Sequence, residues 1–194
     1  MGKYIIDSHI SFVYALWKSL CIIIPIVILL SGCANMLDSG EGISDYYSVQ
    51  KEIGEIADSV IDAVGKGDKQ TLYDMFSMEN KNNRDIMSEL DKMFVEVNWQ
   101  CFSFDDVKGC LDGEGKDLRD GKLTRYSYGY KIEGITDDNG NKYLISYGYT
   151  AVDEEHTNYI GLCQLSIYMV EYTDEWNYNV LEEHTVGDLT LHRR

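Results

Sequence analysis

One change of rhythm constrains this chain more than any other feature. Up to Val97 the apolar residues recur every three or four positions; from Trp99 onward they recur every second position. The first spacing lays apolar side chains along one stripe of a helix, the second along one face of a strand. A single switch from helices to strands is the order of an α+β domain, not of alternating βαβ units.

The helical half divides into three. Val49, Ile53, Ile56, Ala57, Val60, Ile61 and Val64 predict a helix over 49–64, with Ser48 as N-cap and Gly65 and Gly67 as the stop. Asp68 caps a second helix, Lys69 to Ser77, with Leu72, Met75 and Phe76 inward. Asn82 or Asn83 caps a third, whose stripe is Ile86, Leu90, Met93, Phe94 and Val97.

In the second half, Trp99 to Phe104 reads as a first strand. Asp105 to Lys122, with four glycines and many charges, reads as a long irregular connection. Thr124, Tyr126, Tyr128, Tyr130 and Ile132 then alternate with Arg125, Ser127, Gly129, Lys131 and Glu133, the pattern of a half-buried strand. Asn139-Gly140 marks a hairpin turn. The returning strand sets Tyr143, Ile145, Tyr147 and Tyr149 on one face. A further strand runs from Tyr159 to Val170, with Cys163 inward, and a last one holds Trp176, Tyr178 and Val180. Short turns between consecutive strands make an antiparallel meander of four to five strands. The three helices must cover its apolar face.

The N-terminal segment carries a separate message. Leu20 to Leu30 is eleven apolar residues, preceded by Lys3 and Lys18. That is too short to span a bilayer, which needs about 20 residues, and it suits a signal-peptide core. Leu30-Ser31-Gly32-Cys33 follows with the shape of a lipobox. The expectation is cleavage between Gly32 and Cys33 and lipidation of Cys33. An uncleaved membrane helix would have to place Lys18 mid-span, at a cost of roughly 2.5–3.5 kcal/mol. The expected organisation is therefore a signal peptide over 1–32, a flexible tether over 33–47, the α+β domain over 48–184 and a tail over 185–194. The protein would be held on the extracytoplasmic face of the cell membrane by lipid.

Charge sharpens the choice of partner. The 194 residues carry a formal net charge of −16. Residues 1–32 hold Lys3, Lys18 and Asp7, a net +1, which leaves −17 on residues 33–194. Such a surface repels nucleic acid and anionic headgroups. It favours a neutral ligand or a basic partner. With Cys21 in the signal segment and Cys33 lipidated, Cys101, Cys110 and Cys163 remain. Three thiols form no closed disulfide framework, and a Cys101–Cys110 bridge stays open.

The order of elements resembles the nuclear-transport-factor-two-like superfamily, a cone-shaped α+β fold also called cystatin-like or SnoaL-like. The stretch Ala57-Asp58-Ser59-Val60, Gly67-Asp68-Lys69 and Leu72 to Ser77 is similar to its opening helix pair. Ile86 to Phe94, Phe102 to Asp105, Tyr126-Ser127-Tyr128, Gly140 to Tyr143, Val152-Asp153 and Ile160-Gly161-Leu162 are similar to a family of Gram-positive lipoproteins whose domain has unknown function. The resemblance covers residues 50–183. It implies three N-terminal helices on a curved antiparallel sheet and an anchored location. It implies no activity, and no functional residue beyond Cys33.

The tyrosines are the strongest candidate for a binding site. Tyr126, Tyr128, Tyr130, Tyr143, Tyr147 and Tyr149, with Trp99 and Trp176, would line a pocket for an apolar or sugar-like ligand. The competing reading is that tyrosine is simply a good strand former. The same face could also dock a protein. Catalysis by an enzyme of the isomerase or cyclase type, as the resemblance allows, would need an acid or His facing these rings. His156, His184, Asp105 and Asp106 take no inward position by alternation, so no catalytic residue is assigned. The Asp137–Asn141 turn fails as a calcium loop, because Lys142 and Gly148 stand where Gly and Glu are required. Gly115 to Leu123 fails as a phosphate loop, with five residues between its glycines and Leu123 at the magnesium position. Neither a metal nor a cofactor is expected. The leading expectation is a non-catalytic module that binds a small molecule or a protein; the alternatives are the enzyme and an acidic protective, immunity-like lipoprotein that binds a basic protein.

Overall fold

The computed structural model describes residues 40–174 and 177–188, with side chains from Ser48 onward. It is an α+β structure: four helices and a five-stranded open antiparallel sheet. The helices are α1 (Gly40–Lys66), α2 (Lys69–Met75), α3 (Met78–Asn83) and α4 (Ile86–Glu96). The strands are β1 (Lys108–Arg119), β2 (Lys122–Thr136), β3 (Lys142–Asp153), β4 (Gly161–Tyr172) and β5 (Tyr178–Gly187), paired in sequence order. No described helix is long and apolar enough to cross a membrane. Cys33 and Trp176, named above, lie outside the described residues.

α1 begins at Gly40, so residues 40–47, expected as tether, are helical. Its buried stripe is Val49, Ile53, Ala57, Val60, Ala63 and Val64. It runs through Gly65 and ends at Gly67, whose φ of 63° lets two bonds close the last turn. The Gly67 N–H donates to the Val64 carbonyl at 3.1 Å and the Asp68 N–H to the Ala63 carbonyl at 2.8 Å, the paired bonds of a Schellman cap. Asp68 then caps α2 as expected, accepting from the Thr71 N–H at 3.0 Å. The expected third helix is α4, and an additional short helix, α3, precedes it. Ser77 caps α3, accepting from the Asn80 N–H at 3.2 Å. Asp85 caps α4, accepting from the Ser88 N–H at 3.1 Å. Asn82 and Asn83 belong to the last turn of α3 and cap nothing. The competing signal was Ser77, an equally good cap that lay hidden at the end of an apolar run.

The first expected strand is also displaced. Trp99–Cys101 is a turn of 3-10 helix, and Ser103 makes only a single bridge to Thr136. The sheet starts instead inside the stretch expected to be irregular. β1 is exposed along its whole length, so it buries neither face and shows no alternation to read. Backbone pairing with β2 makes it a strand, interrupted by bulges at Leu111/Glu114 and Asp117/Leu118. At the other end β5 runs to Gly187, and Val186 is fully buried; residues 185–187 complete the sheet and are not tail.

The core lies between the helices and one face of the sheet. Val49, Ile53 and Val60 of α1, Leu72, Phe76, Ile86 and Leu90 meet Tyr126, Tyr128, Ile132, Ile145, Tyr147, Leu162, Leu165 and Val186 there. A bulge at Gly148/Tyr149 shifts the β3–β4 register, so that Leu162 pairs with Tyr149. Cys163, expected inward, is displaced from that core and lies beside Thr150, buried at 2% exposure.

Candidate functional site

The six tyrosines do share one face, as alternation predicts, and it is the helix-facing one. Their rings pack on one another. Tyr128 lies 6.0 Å from Tyr126, 6.3 Å from Tyr147 and 5.6 Å from Tyr149 between ring centroids, and Tyr130 stacks on Tyr147 at 5.5 Å. Tyr126, Tyr128 and Tyr147 are 0%, 4% and 2% exposed, which makes them part of the core. Tyr143 sits farther along, against Phe102, and donates to the Asp137 carboxylate at 3.1 Å. Trp99 is elsewhere: it meets Phe94 edge-on at 5.7 Å and covers Gly67, where a Cβ would lie 2.3 Å from the indole.

The hydroxyls of this cluster differ. Tyr126 donates to the Glu114 carboxylate at 2.8 Å and accepts from the Gln50 amide at 3.1 Å. The Tyr128 and Tyr147 hydroxyls are buried with no hydrogen-bond partner among the described residues. Burial, then the neighbouring phenols, push both far above the usual tyrosine range. They are neutral donors at any physiological pH.

Alternation that sends the rings inward sends small polar residues outward, and there the structure has a hollow. It measures about 520 Å³. Ser127, Gly129, Ser146 and Gly148 form the floor, and Thr150, Cys163, Gln164 and Ser166 one side. The other side is the β1 bulge, with Gly113 at φ 101°. This bulge brings the Asp112 carbonyl oxygen within 2.9 Å of where a Cβ on Gly129 would sit, so only glycine fits that floor position. Asp112 also holds the Lys131 ammonium at 3.0 Å. At one end the Arg125 guanidinium lies 3.9 Å from the Asp153 carboxylate, which accepts the Glu155 and His156 N–H groups at 3.1 and 2.8 Å. Ser166 and Thr185 share a hydrogen bond at 2.8 Å.

Chemically this hollow offers hydroxyls, an amide, a guanidinium and small floor residues that admit a ligand close to the backbone. It offers no activated thiol: burial pushes the Cys163 thiol up to about 11, against the smaller opposing effect of Thr150. Tyr128, Tyr147 and Tyr149 of the candidate residues are among its lining; its small and polar residues were not named. The signal was present, in the small outward residues between the tyrosines, but polar residues on an outer face usually mean only solvent.

The other candidates stay apart. His156 stacks on Tyr159 at 5.1 Å in the turn after β3. His184 lies mid-strand in β5 on the helix side, not at a strand end, with Nδ1 3.1 Å from Glu96; β4 separates it from the β3 tyrosines. Asp105 caps its own turn through Ser103, and Asp106 is exposed beside it. The Asp137 carboxylate is taken up by the Asn139 and Asn141 N–H groups, both at 2.9 Å, as a hairpin turn requires. Among the described residues no three His, Cys, Asp or Glu side chains are grouped to hold a metal. Cys101, Cys110 and Cys163 are all free thiols.

No curated protein matches the chain. The profile of a domain of unknown function (DUF5104) matches residues 59–178, from the middle of α1 to the start of β5. That span takes in the tyrosine cluster, β1 and the whole outward hollow, and the chain belongs to the DUF5104 family.

Proposed function

We propose that this protein is a lipid-anchored, extracytoplasmic binding module on a nuclear-transport-factor-two-like scaffold, and that it binds through the outward hollow of its sheet. The observation that carries the reading is the division of labour between the two sheet faces. The tyrosines, which would line a cone pocket, are packed as core, whereas the opposite face holds a hollow of about 520 Å³ with hydroxyl, amide and guanidinium groups around a small-residue floor. Those groups suit a small uncharged polar ligand such as a sugar. The open antiparallel sheet with helices on one side is compatible with the cone fold. The anchor rests on Leu30-Ser31-Gly32-Cys33 and the short apolar run before it.

Two experiments test the two parts. Cys33→Ala should move the protein from the membrane fraction to the soluble fraction; retention would mean an uncleaved helix. Native mass spectrometry of the chain purified from its own membrane should show a co-purifying mass that Ser146→Trp, which fills the hollow, removes. A bound mass that survives Ser146→Trp, or none at all, refutes the hollow as the site. A second reading places a small polar ligand against the Tyr128 and Tyr147 hydroxyls, which have no partner within the described residues. A bound mass lost from Tyr128→Phe/Tyr147→Phe but kept by Ser146→Trp would select it.

A further inference from the structure

β1 and β5 are the two edges of the open sheet, and an exposed edge invites pairing unless something guards it. The C-terminal end of β5 is guarded by α4. The Glu89 carboxylate accepts the Gly187 N–H at 3.0 Å, and Glu96 meets His184 at 3.1 Å. Among the described residues β1 has no such cover. All twelve of its residues are exposed, it packs chiefly against β2, and it contains no proline. Its charge also differs from the rest of the molecule. Residues 108–133, spanning β1 and most of β2, hold six Lys or Arg and five Asp or Glu, in a chain of net charge −16. Two copies meeting elsewhere bring like charge together; along β1 they do not.

We propose that β1 pairs antiparallel with β1 of a second copy, about a two-fold axis at Gly115, joining two five-stranded sheets into one of ten. In this register Glu114 lies opposite Lys116 of the second copy on both sides of the axis, and Gly113 lies opposite Asp117. No like charges face each other across these five positions. Sliding the pairing by one residue sets Asp117 against Asp112 in one direction and against Glu114 in the other, which fixes the register. Asp112 to Gly115 also wall the outward hollow, so the added strand extends that wall and couples assembly to what the hollow holds. The pairing itself does not depend on the ligand.

The test uses the full chain in mild detergent, with mass measured by sedimentation velocity. The wild type should be a dimer, and Glu114→Lys and Lys116→Glu should each be monomeric. An equimolar mixture of the two should recover the dimer, because every opposed position again carries opposite charges. A monomeric wild type, or single variants that remain dimeric, overturns the proposal. Cross-linking in the native membrane gives an arm that is independent of the charge variants. Directly opposed Cα atoms lie about 4.5–5.5 Å apart, within disulfide reach, so Gly115→Cys should give a dimer-sized band under oxidant. The wild type should not, since Cys110 lies ten residues, about 33 Å, from its mate in this register. A Gly115→Cys chain that stays monomeric refutes the pairing however the charge variants behave.

Discussion

Replacing Tyr147 or Tyr128 with Phe should stabilise this protein, although each is among its most buried aromatic residues. The hydroxyl that is lost has no hydrogen-bond partner among the described residues. In the unfolded chain it bonds to water, so its burial costs about 1–3 kcal/mol that nothing in the folded state returns. Phe keeps the ring and its packing against Tyr130 and Tyr149. The gain should be about 1 kcal/mol per site, or about 2–4 °C in Tm for a chain of this size. Tyr126 is the internal control. It is equally buried, but its hydroxyl is bonded to Glu114 and Gln50, and a bond to a charged group contributes about 1.5–3 kcal/mol. Tyr126→Phe should therefore destabilise while its two neighbours stabilise. Urea unfolding with unchanged m-values separates the cases. The ring centroids of Tyr128 and Tyr147 are 6.3 Å apart, so the double variant need not be additive. If Tyr128→Phe or Tyr147→Phe costs about 1 kcal/mol or more, the worth of one hydrogen bond, the hydroxyl is in use and the reasoning is refuted.

Other outcomes follow from the same core. The Tyr128, Tyr147 and Tyr149 phenols are all raised, chiefly by burial; the folded state keeps protons that the unfolded chain releases near pH 10. Stability should therefore hold up to about pH 10 and fall as the pH rises further, with phenolate absorbance at 295 nm appearing only as the protein unfolds. Gly161→Ala should cost more than about 2 kcal/mol, because φ is +121° there and a Cβ would lie 2.7 Å from the Met75 carbonyl oxygen; Gly54→Ala, in open space on α1, should gain about 0.5–1 kcal/mol by thermal melting. Thiol labelling should modify exposed Cys110 first and Cys101 more slowly, and should reach buried Cys163 only on unfolding.

What the sequence disclosed tracks how many faces each element buries. α1, β2 and β3 bury one face each, so the stripe of Val49, Ile53 and Val60 and the alternation of Tyr126, Tyr128 and Ile132 could be read directly. β1 buries no face, and its glycines and charges concealed a strand held chiefly by backbone pairing with β2. α3 is six residues long and has one buried side chain, Asn80, too few to set a period. Trp99 and Phe102 are apolar because they seal the end of α1 and pack on Tyr143, not because they lie in a sheet. The tyrosines were correctly placed on one face, but the same residues serve a pocket or a core, and only their ring contacts distinguish the two. The hollow was the hardest part to see. It depends on the bulges at Leu111/Glu114 and Gly148/Tyr149, and a bulge leaves almost no mark in composition.

The junction of α2 and α3 carries one more consequence. Phe76 bridges to Leu162, the Ser77 N–H donates to the Leu162 carbonyl at 3.0 Å, and Asn80 accepts the Asp188 N–H at 2.9 Å. These bonds join residues about 85 and 108 positions apart. The ribosome makes the helices first, yet these long-range bonds form only once β4 and β5 have emerged. Until then Asn80 and the open ends of α2 and α3 must be hydrated, and the helical layer can gain little from forming early. The packing of this junction is therefore completed only after β4 and β5 have been synthesised.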